Sequence, residues 1–133
     1  MMDSLFPYAA TTNDMTVRVA VTLAPEKSEP EQGRWFWTYH IRIENSRETP
    51  VQLLMRRWTI ADGRGAIYRR EGEGVVGEQP VIQPGASYDY VSGCPLATPT
   101  GWMEGSYMML DGNGDMIEVT IPRFALLAGA VEG

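Results

Sequence analysis

The glycine-rich stretch "GEGVVGEQP", residues 72–80, has the G-x-G-x-x-G spacing with which dinucleotide-binding proteins hold phosphates. In those proteins the glycines join a parallel strand to a helix whose N-terminus meets the pyrophosphate. Here Pro80 and Pro84 follow the glycines closely, so no helix of useful length can begin there. The Lys-Ser or Lys-Thr pair of a Walker-type loop is also missing. We predict a connection between strands, whose glycines take positive φ or allow close packing: Gly72, Gly74 and Gly77.

Arginines just before this loop are the side chains best suited to bind an anion. Five of the 11 basic residues are found there: Arg56, Arg57, Arg64, Arg69 and Arg70. Guanidinium groups match phosphate oxygens, and a glycine-rich backbone can form an anion-binding nest without a helix. Glutamates at positions 71, 73 and 78 oppose an anion. An anion site therefore stays open as an alternative, with loop amides and four arginines: Arg56, Arg57, Arg69 and Arg70.

Other groups that could do chemistry are few. One histidine and one cysteine cannot assemble an ordinary multi-His or multi-Cys metal site. His40 lies on the mixed face of a strand, where we expect it to be solvated or hydrogen-bonded, and Cys94 is expected to be a small buried hydrophobe. "DGNGD", residues 111–115, has calcium-loop oxygen spacing, but Met116 replaces the glycine and Pro122 the glutamate of that motif. We predict a hairpin turn, no metal site and no cofactor.

Composition limits the kinds of partner. The chain has 133 residues, 17 acidic against 11 basic, and a formal net charge of -6. A general attraction to nucleic acid or to anionic lipid is therefore not expected. No apolar stretch is long enough to span a bilayer, the single cysteine excludes an internal disulfide, and the first residues do not resemble a signal peptide. We predict a cytoplasmic protein without membrane insertion, as a monomer or weak dimer.

Alternation of apolar and polar residues with a period of two predicts strands along most of the chain. The clearest cases are "MTVRVAVTL" at 15–23 and "RWFWTYHIRIEN" at 34–45. Around Leu53 and Leu54 the alternation slips, which indicates a bulge or burial on both faces. "AIYRRE" is expected to pair with the preceding strand across a turn at residues 62–65.

Seven or eight such strands with short turns predict an all-β protein, a two-sheet antiparallel β-sandwich of the fibronectin type III-like or immunoglobulin-like kind. A small barrel is the alternative. Residues 15–127 form the predicted domain, between a flexible N-terminal segment at 1–14 and a flexible tail at 128–133. The predicted core includes Trp35, Trp37, Tyr39, Ile41, Trp58, Tyr107 and Ile117.

Four blocks in the same order, "VQLLMRRWTIADGRG", "GEGVVGEQPVIQPG", "YVSGCPLATPTGWMEGSY" and "IPRFAL", resemble the ApaG family of small bacterial proteins. The resemblance spans about residues 15–127. It implies a fibronectin type III-like or immunoglobulin-like sandwich without an agreed catalytic activity. It also implies an association with cobalt resistance and magnesium efflux, and a gene often placed beside that of the diadenosine tetraphosphate hydrolase. Related domains in eukaryotic F-box proteins and in a DNA polymerase delta-interacting protein look like protein-interaction modules.

Residue by residue, the resemblance covers these positions: Arg56, Trp58, Asp62, Gly72, Gly74, Val75, Val76, Gly77, Glu78, Gln79, Pro80, Pro84 and Gly85. Where the family often has histidine, this chain has Arg57, so no histidine role carries over there. We interpret the chain as a non-enzymatic binding module for another protein. Its predicted binding loop comprises Gly72, Gly74, Val75, Val76, Gly77, Glu78, Gln79 and Pro80. The alternative is a sensor of nucleotides or polyphosphates such as diadenosine tetraphosphate, and a metal-dependent hydrolase is the least favoured interpretation.

Overall fold

The computed structural model describes residues 5–129, which fold as two packed antiparallel sheets. The first sheet has the strand order β1-β2-β3-β7, and the second has the order β5-β4-β8-β9 with β6 paired to β4. This confirms the predicted two-sheet β-sandwich. The strands are β1 (Tyr8–Thr12), β2 (Met15–Leu23), β3 (Trp35–Asn45), β4 (Val51–Asp62), β5 (Ile67–Glu73), β6 (Val81–Ile82), β7 (Ser87–Leu96), β8 (Thr100–Leu110) and β9 (Met116–Leu127).

The apolar face of each alternating strand forms the core between the sheets. On β3, every second side chain from Trp37 to Ile43 is buried, as the alternation predicts. Rings from both sheets meet at the centre, where Tyr39 lies 5.5 Å from Trp58 and 5.7 Å from Phe124 between ring centroids. Trp35 and Ile117 are only partly buried, at the margins of this core. The other predicted core residues are buried.

The predicted irregularity and hairpins are present. The register between β4 and β8 shifts between Leu53 and Met55, and this bulge is the slip in the alternation. Strands β4 and β5 pair across the turn after Asp62, whose Oδ1 accepts hydrogen bonds from the backbone of Arg64 and Ala66. After the bulge, successive side chains of β4 again face opposite sides of the sheet.

The predicted flexible start at residues 1–14 is wrong for Tyr8–Thr12, which forms β1 and pairs with β2. "YAATT" lacks clear alternation, but Tyr8 packs on Phe124 and its hydroxyl accepts a hydrogen bond from the Ala125 amide. At the other end, the Ala128 amide donates to Pro99, so the predicted tail begins with an anchored residue. Residues 1–4 and 130–133 lie outside the described part of the chain.

One side of the sandwich is closed and the other is open. Strands β1 and β2 contact β9, which joins the sheets along that side. On the opposite side the two edge strands are β5 and β7, each at the end of its sheet. A cleft runs between them. Within residues 5–129 no helix is long and apolar enough to cross a membrane.

Candidate functional site

The open side of the sandwich holds a cleft of about 600 Å³, which is within the usual size of small-ligand sites. Both sheets and the tip of the glycine-rich loop line it. A smaller cavity of about 300 Å³ shares Ile60, Arg70, Cys94 and Pro95 with the cleft and continues it past Tyr68. The side chains that give the cleft its polarity are Tyr39, Arg56, Arg70, Glu73, Tyr90 and Ser92.

The tip of the loop is a tight hairpin turn. The Val75 amide donates to the Glu78 carbonyl at 2.8 Å, and the Glu78 amide returns a bond to Val75 at 2.9 Å. Both central residues have positive φ, 43° at Val76 and 83° at Gly77, which is the pattern of a type I′ turn. A β-branched residue in that conformation costs about 1–2 kcal/mol. The side chain of Val75 is 1% exposed and that of Val76 is 55% exposed, so only Val76 of this pair is available at the surface.

The structure explains why glycine is needed at each of the three positions. Gly74 and Gly77 have positive φ, and a Cβ on Gly74 would lie 2.1 Å from the Glu78 carbonyl oxygen. A Cβ on Gly72 would lie 2.7 Å from Nη2 of Arg56. The prediction of a strand connection that needs positive φ or close packing is confirmed, because no helix follows.

The loop backbone is bonded mainly to the protein itself. The amides of Val75 and Glu78 close the turn, and the Gly74 amide donates to the Leu54 carbonyl at 2.8 Å. These three amides are therefore not part of an outward-facing nest for an anion. The Glu73 and Gly74 carbonyls both accept from Nη1 of Arg56 at 2.9 Å. The loop thus presents carbonyl oxygens, rather than amides, to the nearest arginine.

The end of the loop is anchored to β4 and β7. Gln79 Nε2 donates to Leu54, the Pro80 carbonyl accepts from the Leu53 amide, and the Tyr88 hydroxyl donates to Glu78 Oε1. The end of the predicted binding loop is therefore bonded within the protein, which leaves the turn as the part of the loop that is available to a partner.

The four predicted anion-binding arginines lie on both faces of the β4–β5 hairpin. Arg56 and Arg70 face the interior and line the cleft. Arg57 lies on the outer face, where its Nε is 3.2 Å from Glu71 Oε2. Arg69 pairs with Thr59, which is two residues from Arg57 and therefore lies on the same outer face. The cleft therefore receives two of the four cations.

The arginines of the β4–β5 hairpin are paired with carboxylates less often than the arginines of the rest of the protein. Six of the ten arginines pair with a carboxylate: Arg18, Arg34, Arg42, Arg47, Arg57 and Arg123. The other four, for which the described chain offers no ion pair, all lie on the β4–β5 hairpin: Arg56, Arg64, Arg69 and Arg70. In a protein of net charge -6, four arginines without an ion pair to residues 5–129 are thus concentrated on one hairpin, which also carries Asp62, Glu71 and Glu73.

The single histidine and the single cysteine have structural surroundings. His40 Nε2 lies 2.9 Å from Asp89 Oδ1, which confirms the expected hydrogen bond. Cys94 is buried, as predicted, and burial raises the pKa of its thiol to about 11. The thiol is therefore protonated at neutral pH and is a poor nucleophile.

The "DGNGD" segment is the hairpin turn that the sequence predicts. Asp111 Oδ1 accepts hydrogen bonds from the backbone amides of Asp115 and Asn113, both at 2.9 Å. These bonds, that of Asp115 foremost, and the nearby Arg47 hold the pKa of Asp111 below its ordinary value. Its oxygens are occupied within the turn. Among residues 5–129 no group of three or more His, Cys, Asp or Glu side chains could hold a metal ion.

A cluster of tyrosine hydroxyls at the cleft was not identified as functional from the sequence, where Tyr39 and Tyr107 counted only as core. Tyr90 and Tyr107 share a short hydrogen bond, and Tyr39 lies opposite Ser92 in the register of β3 with β7. Burial raises the pKa of all three phenols, while Arg56 opposes the shift in each. The available signal was that tyrosines on a buried face require partners for their hydroxyls.

Comparison with known proteins assigns the family. The ApaG domain family matches residues 25–111. A protein named Protein ApaG from Caulobacter vibrioides is 52% identical over 124 residues, which cover 92% of this chain and 89% of that protein. The chain belongs to the ApaG family. The crystal structure of an ApaA protein from Bordetella pertussis has a TM-score of 0.85 at 41% identity, covering 88% of this chain and 95% of that one.

The fold extends beyond the ApaG family. The crystal structure of the C-terminal domain of wzt matches with a TM-score of 0.53 at 12% identity, over 91% of this chain and 77% of that one. At this identity the similarity concerns the fold alone. Functional inference must therefore come from the cleft, the loop and the arginines of this chain.

Proposed function

We propose that this chain is a non-enzymatic binding module whose β4–β5 hairpin and 72–80 loop bind an acidic segment of another protein. The observation that carries the proposal is the concentration of uncompensated arginines on this hairpin of an otherwise acidic protein. Complementary charge steers association and selects against partners of the same sign. An acidic partner segment is the occupant that this charge pattern favours.

The hairpin also offers a backbone surface for an extended segment. Strand β5 is the edge of its sheet, and its edge carries backbone groups that no neighbouring strand satisfies. Exposed apolar side chains accompany this edge, with Ile67 44% and Tyr68 41% exposed. Peptides that add to sheet edges obtain affinity from the backbone and specificity from such side chains. Val76, exposed in a strained turn next to the edge, extends the same surface.

This proposal is consistent with the properties that the family resemblance implies. An association with cobalt resistance and magnesium efflux would, on this proposal, act through the bound protein in the cytoplasm. No catalytic step is proposed, because the thiol of the single cysteine, Cys94, is buried and protonated. A screen of phosphoester hydrolysis with added Mg²⁺ or Co²⁺ checks that part, and turnover above that of a blank would contradict it.

Site-specific photocrosslinking tests where the partner binds. A photoreactive residue at Tyr68 should capture a partner in cells, whereas one at Glu118, exposed on β9 of the same sheet, should not. The captured protein is then purified and its affinity measured directly. Equal capture from both positions would argue against the proposed surface.

Charge-reversal variants test whether the arginines of the hairpin attract the partner. Arg64→Glu with Arg69→Glu should weaken the affinity about tenfold or more, since two attractive contacts become repulsive. The matched control reverses two exposed arginines elsewhere, Arg34→Glu with Arg123→Glu, and changes the net charge equally. Affinity for the purified partner should also fall as salt rises. If both double variants bind alike, the hairpin is not the recognition surface.

A nucleotide or polyphosphate remains a second candidate because Arg56 and Arg70 line a cleft of ligand size. The structure changes how such a ligand would be held. Arg57 and Arg69 lie on the outer face, and three loop amides are bonded internally. Calorimetry with diadenosine tetraphosphate, with and without Mg²⁺ or Co²⁺, distinguishes this candidate from the protein partner.

A further inference from the structure

The Tyr90–Tyr107 hydrogen bond fixes which phenol has a proton to offer. Tyr107 is completely buried, and Tyr90 is its hydrogen-bond partner among residues 5–129. If Tyr90 donated, the Tyr107 proton would be buried without an acceptor, which costs about 1–3 kcal/mol. Tyr107 therefore donates to Tyr90. The Tyr90 proton is then left for the cleft, which the Tyr90 side chain lines.

Tyr39 is in the same situation on the neighbouring strand. Its register partner on β7 is Ser92, and its hydroxyl donates to no acceptor among residues 5–129. The Tyr39 proton is thus also available to a ligand, because Tyr39 lines the cleft as well. Two phenolic donors without acceptors of their own face one space.

Arg56 supplies the charge at the same end of the cleft. Its Nη1 is bonded to two loop carbonyls, while Nε and Nη2 have no partner among the described residues. Its charge acts on the Tyr39, Tyr90 and Tyr107 hydroxyls alike. Arg70 adds a second cation to the lining. Arg56, Arg70, Tyr39 and Tyr90 form a set of donors that suits a ligand with acceptors only, and within residues 5–129 the one carboxylate that lines the cleft is that of Glu73.

The rest of the cleft is suited to an apolar body. From this polar end it continues between β5 and β7 along Ile60, Tyr68 and Pro95, through a further volume of about 300 Å³. Ring and aliphatic surfaces in that part leave room for a flat group, and one charged end with one apolar body is the usual composition of ligand sites.

We propose that the inner end of this cleft is a phosphate site, in which Arg56 and the hydroxyls of Tyr39 and Tyr90 bind the terminal phosphate of a small phosphate ester whose apolar body lies along Ile60, Tyr68 and Pro95. Two guanidinium groups and several donors match the two charges and three free oxygens of a phosphate monoester better than a carboxylate. The site lies inside the sandwich. It shares Tyr68 with the protein surface proposed above, which otherwise lies on the edge and outer face of the hairpin.

Titration calorimetry with three probes tests the chemistry. Phenyl phosphate should bind more tightly than inorganic phosphate, because only the ester reaches the apolar part, and both should bind more tightly than benzoate. In two-dimensional amide spectra the ester should shift Ser92 and Gly93, which line the cleft, and leave Glu118 unchanged. No heat and no shifts at millimolar phenyl phosphate would overturn the proposal. Equal binding of benzoate would overturn the assignment to phosphate.

Conservative variants test the residues. Tyr39→Phe should weaken phenyl phosphate binding about tenfold, as expected for a hydrogen bond to a charged group. Tyr90→Phe with Tyr107→Phe removes the other donor without leaving a buried hydroxyl unpaired, and should have a similar effect. Tyr8→Phe, on the closed side of the sandwich and outside the cleft, is the matched control and should bind as the unmodified protein does. If Tyr39→Phe and Tyr8→Phe bind equally, the phenol donors are not part of the site. The Tyr39→Phe variant should still capture the protein partner. Failure of the phosphate site can therefore be distinguished from failure of the protein-binding proposal.

Discussion

Replacing Val76 with asparagine should make the protein more stable while weakening its interaction with the proposed protein partner. The residue occupies the first central position of a turn with φ of 43°, which costs a β-branched residue about 1–2 kcal/mol. Asparagine followed by glycine is the preferred pair for this turn, so Val76→Asn should recover most of that strain. The valine is 55% exposed, and the packing lost with it is correspondingly small. We expect a net gain of about 1 kcal/mol, or a rise in Tm of about 4 °C.

Urea and thermal unfolding followed by tryptophan fluorescence measure this change. The matched control is Val81→Asn on β6, because Val81 is 53% exposed and lacks positive φ. There asparagine replaces a favourable strand residue and should destabilise slightly. A loss of stability in Val76→Asn, or equal effects in both variants, would refute the strain argument. If Val76→Asn is more stable but captures the partner as well as the unmodified protein, Val76 is strained for a reason other than binding.

Three further outcomes follow from the geometry. Gly77→Ala should cost about 1 kcal/mol for positive φ alone, whereas Gly74→Ala should cost about 3 kcal/mol or more because its methyl group collides with backbone; chemical denaturation of both checks this. Tyr90→Phe should destabilise more than Tyr107→Phe, by about 1 kcal/mol, because only the former leaves a buried donor unpaired; equal losses would contradict the assigned donor. The pKa of Asp111 lies below its ordinary 3.8, so the stability it provides is present above about pH 4 and is lost as pH falls through the folded-state pKa; Asp111→Asn should flatten that part of the stability profile measured by urea unfolding.

Strands with a buried and an exposed face were predictable, because alternation reports burial directly. β2 and β3 follow their apolar residues almost position by position, and the turn after Asp62 has the residues that turns require. Even the bulge near Leu53 was visible as a break in period. These features depend on local sequence and on the division between core and solvent.

β1 was missed because its position depends on distant residues. "YAATT" has no apolar alternation, and its strand is held by pairing with β2 and by Tyr8 against Phe124 of β9. A short strand whose partners lie far away in the sequence gives little signal of its own. Tertiary contacts determined its conformation.

The candidate site was predictable only in part, and for a similar reason. That Arg56 and Arg57 lie on opposite faces follows from a period of two, once the bulge is placed. That Tyr39 and Tyr90 line the same cleft as Arg56 depends on the register of β3 with β7 and on how the two sheets pack. Those relations are between sheets, and no spacing within one segment reports them.

The glycine spacing that resembles a nucleotide fingerprint is better explained by Arg56. Gly72 lacks a side chain where the Arg56 guanidinium crosses it, and Gly74 allows the Glu78 carbonyl to close the turn. Gly77 supplies the second positive φ of that turn. The carbonyls that hold Nη1 of Arg56 carry no formal charge, so they fix the side chain without neutralising it. The loop therefore positions a cation at the cleft, and an anion that binds there meets the arginine rather than the glycine amides.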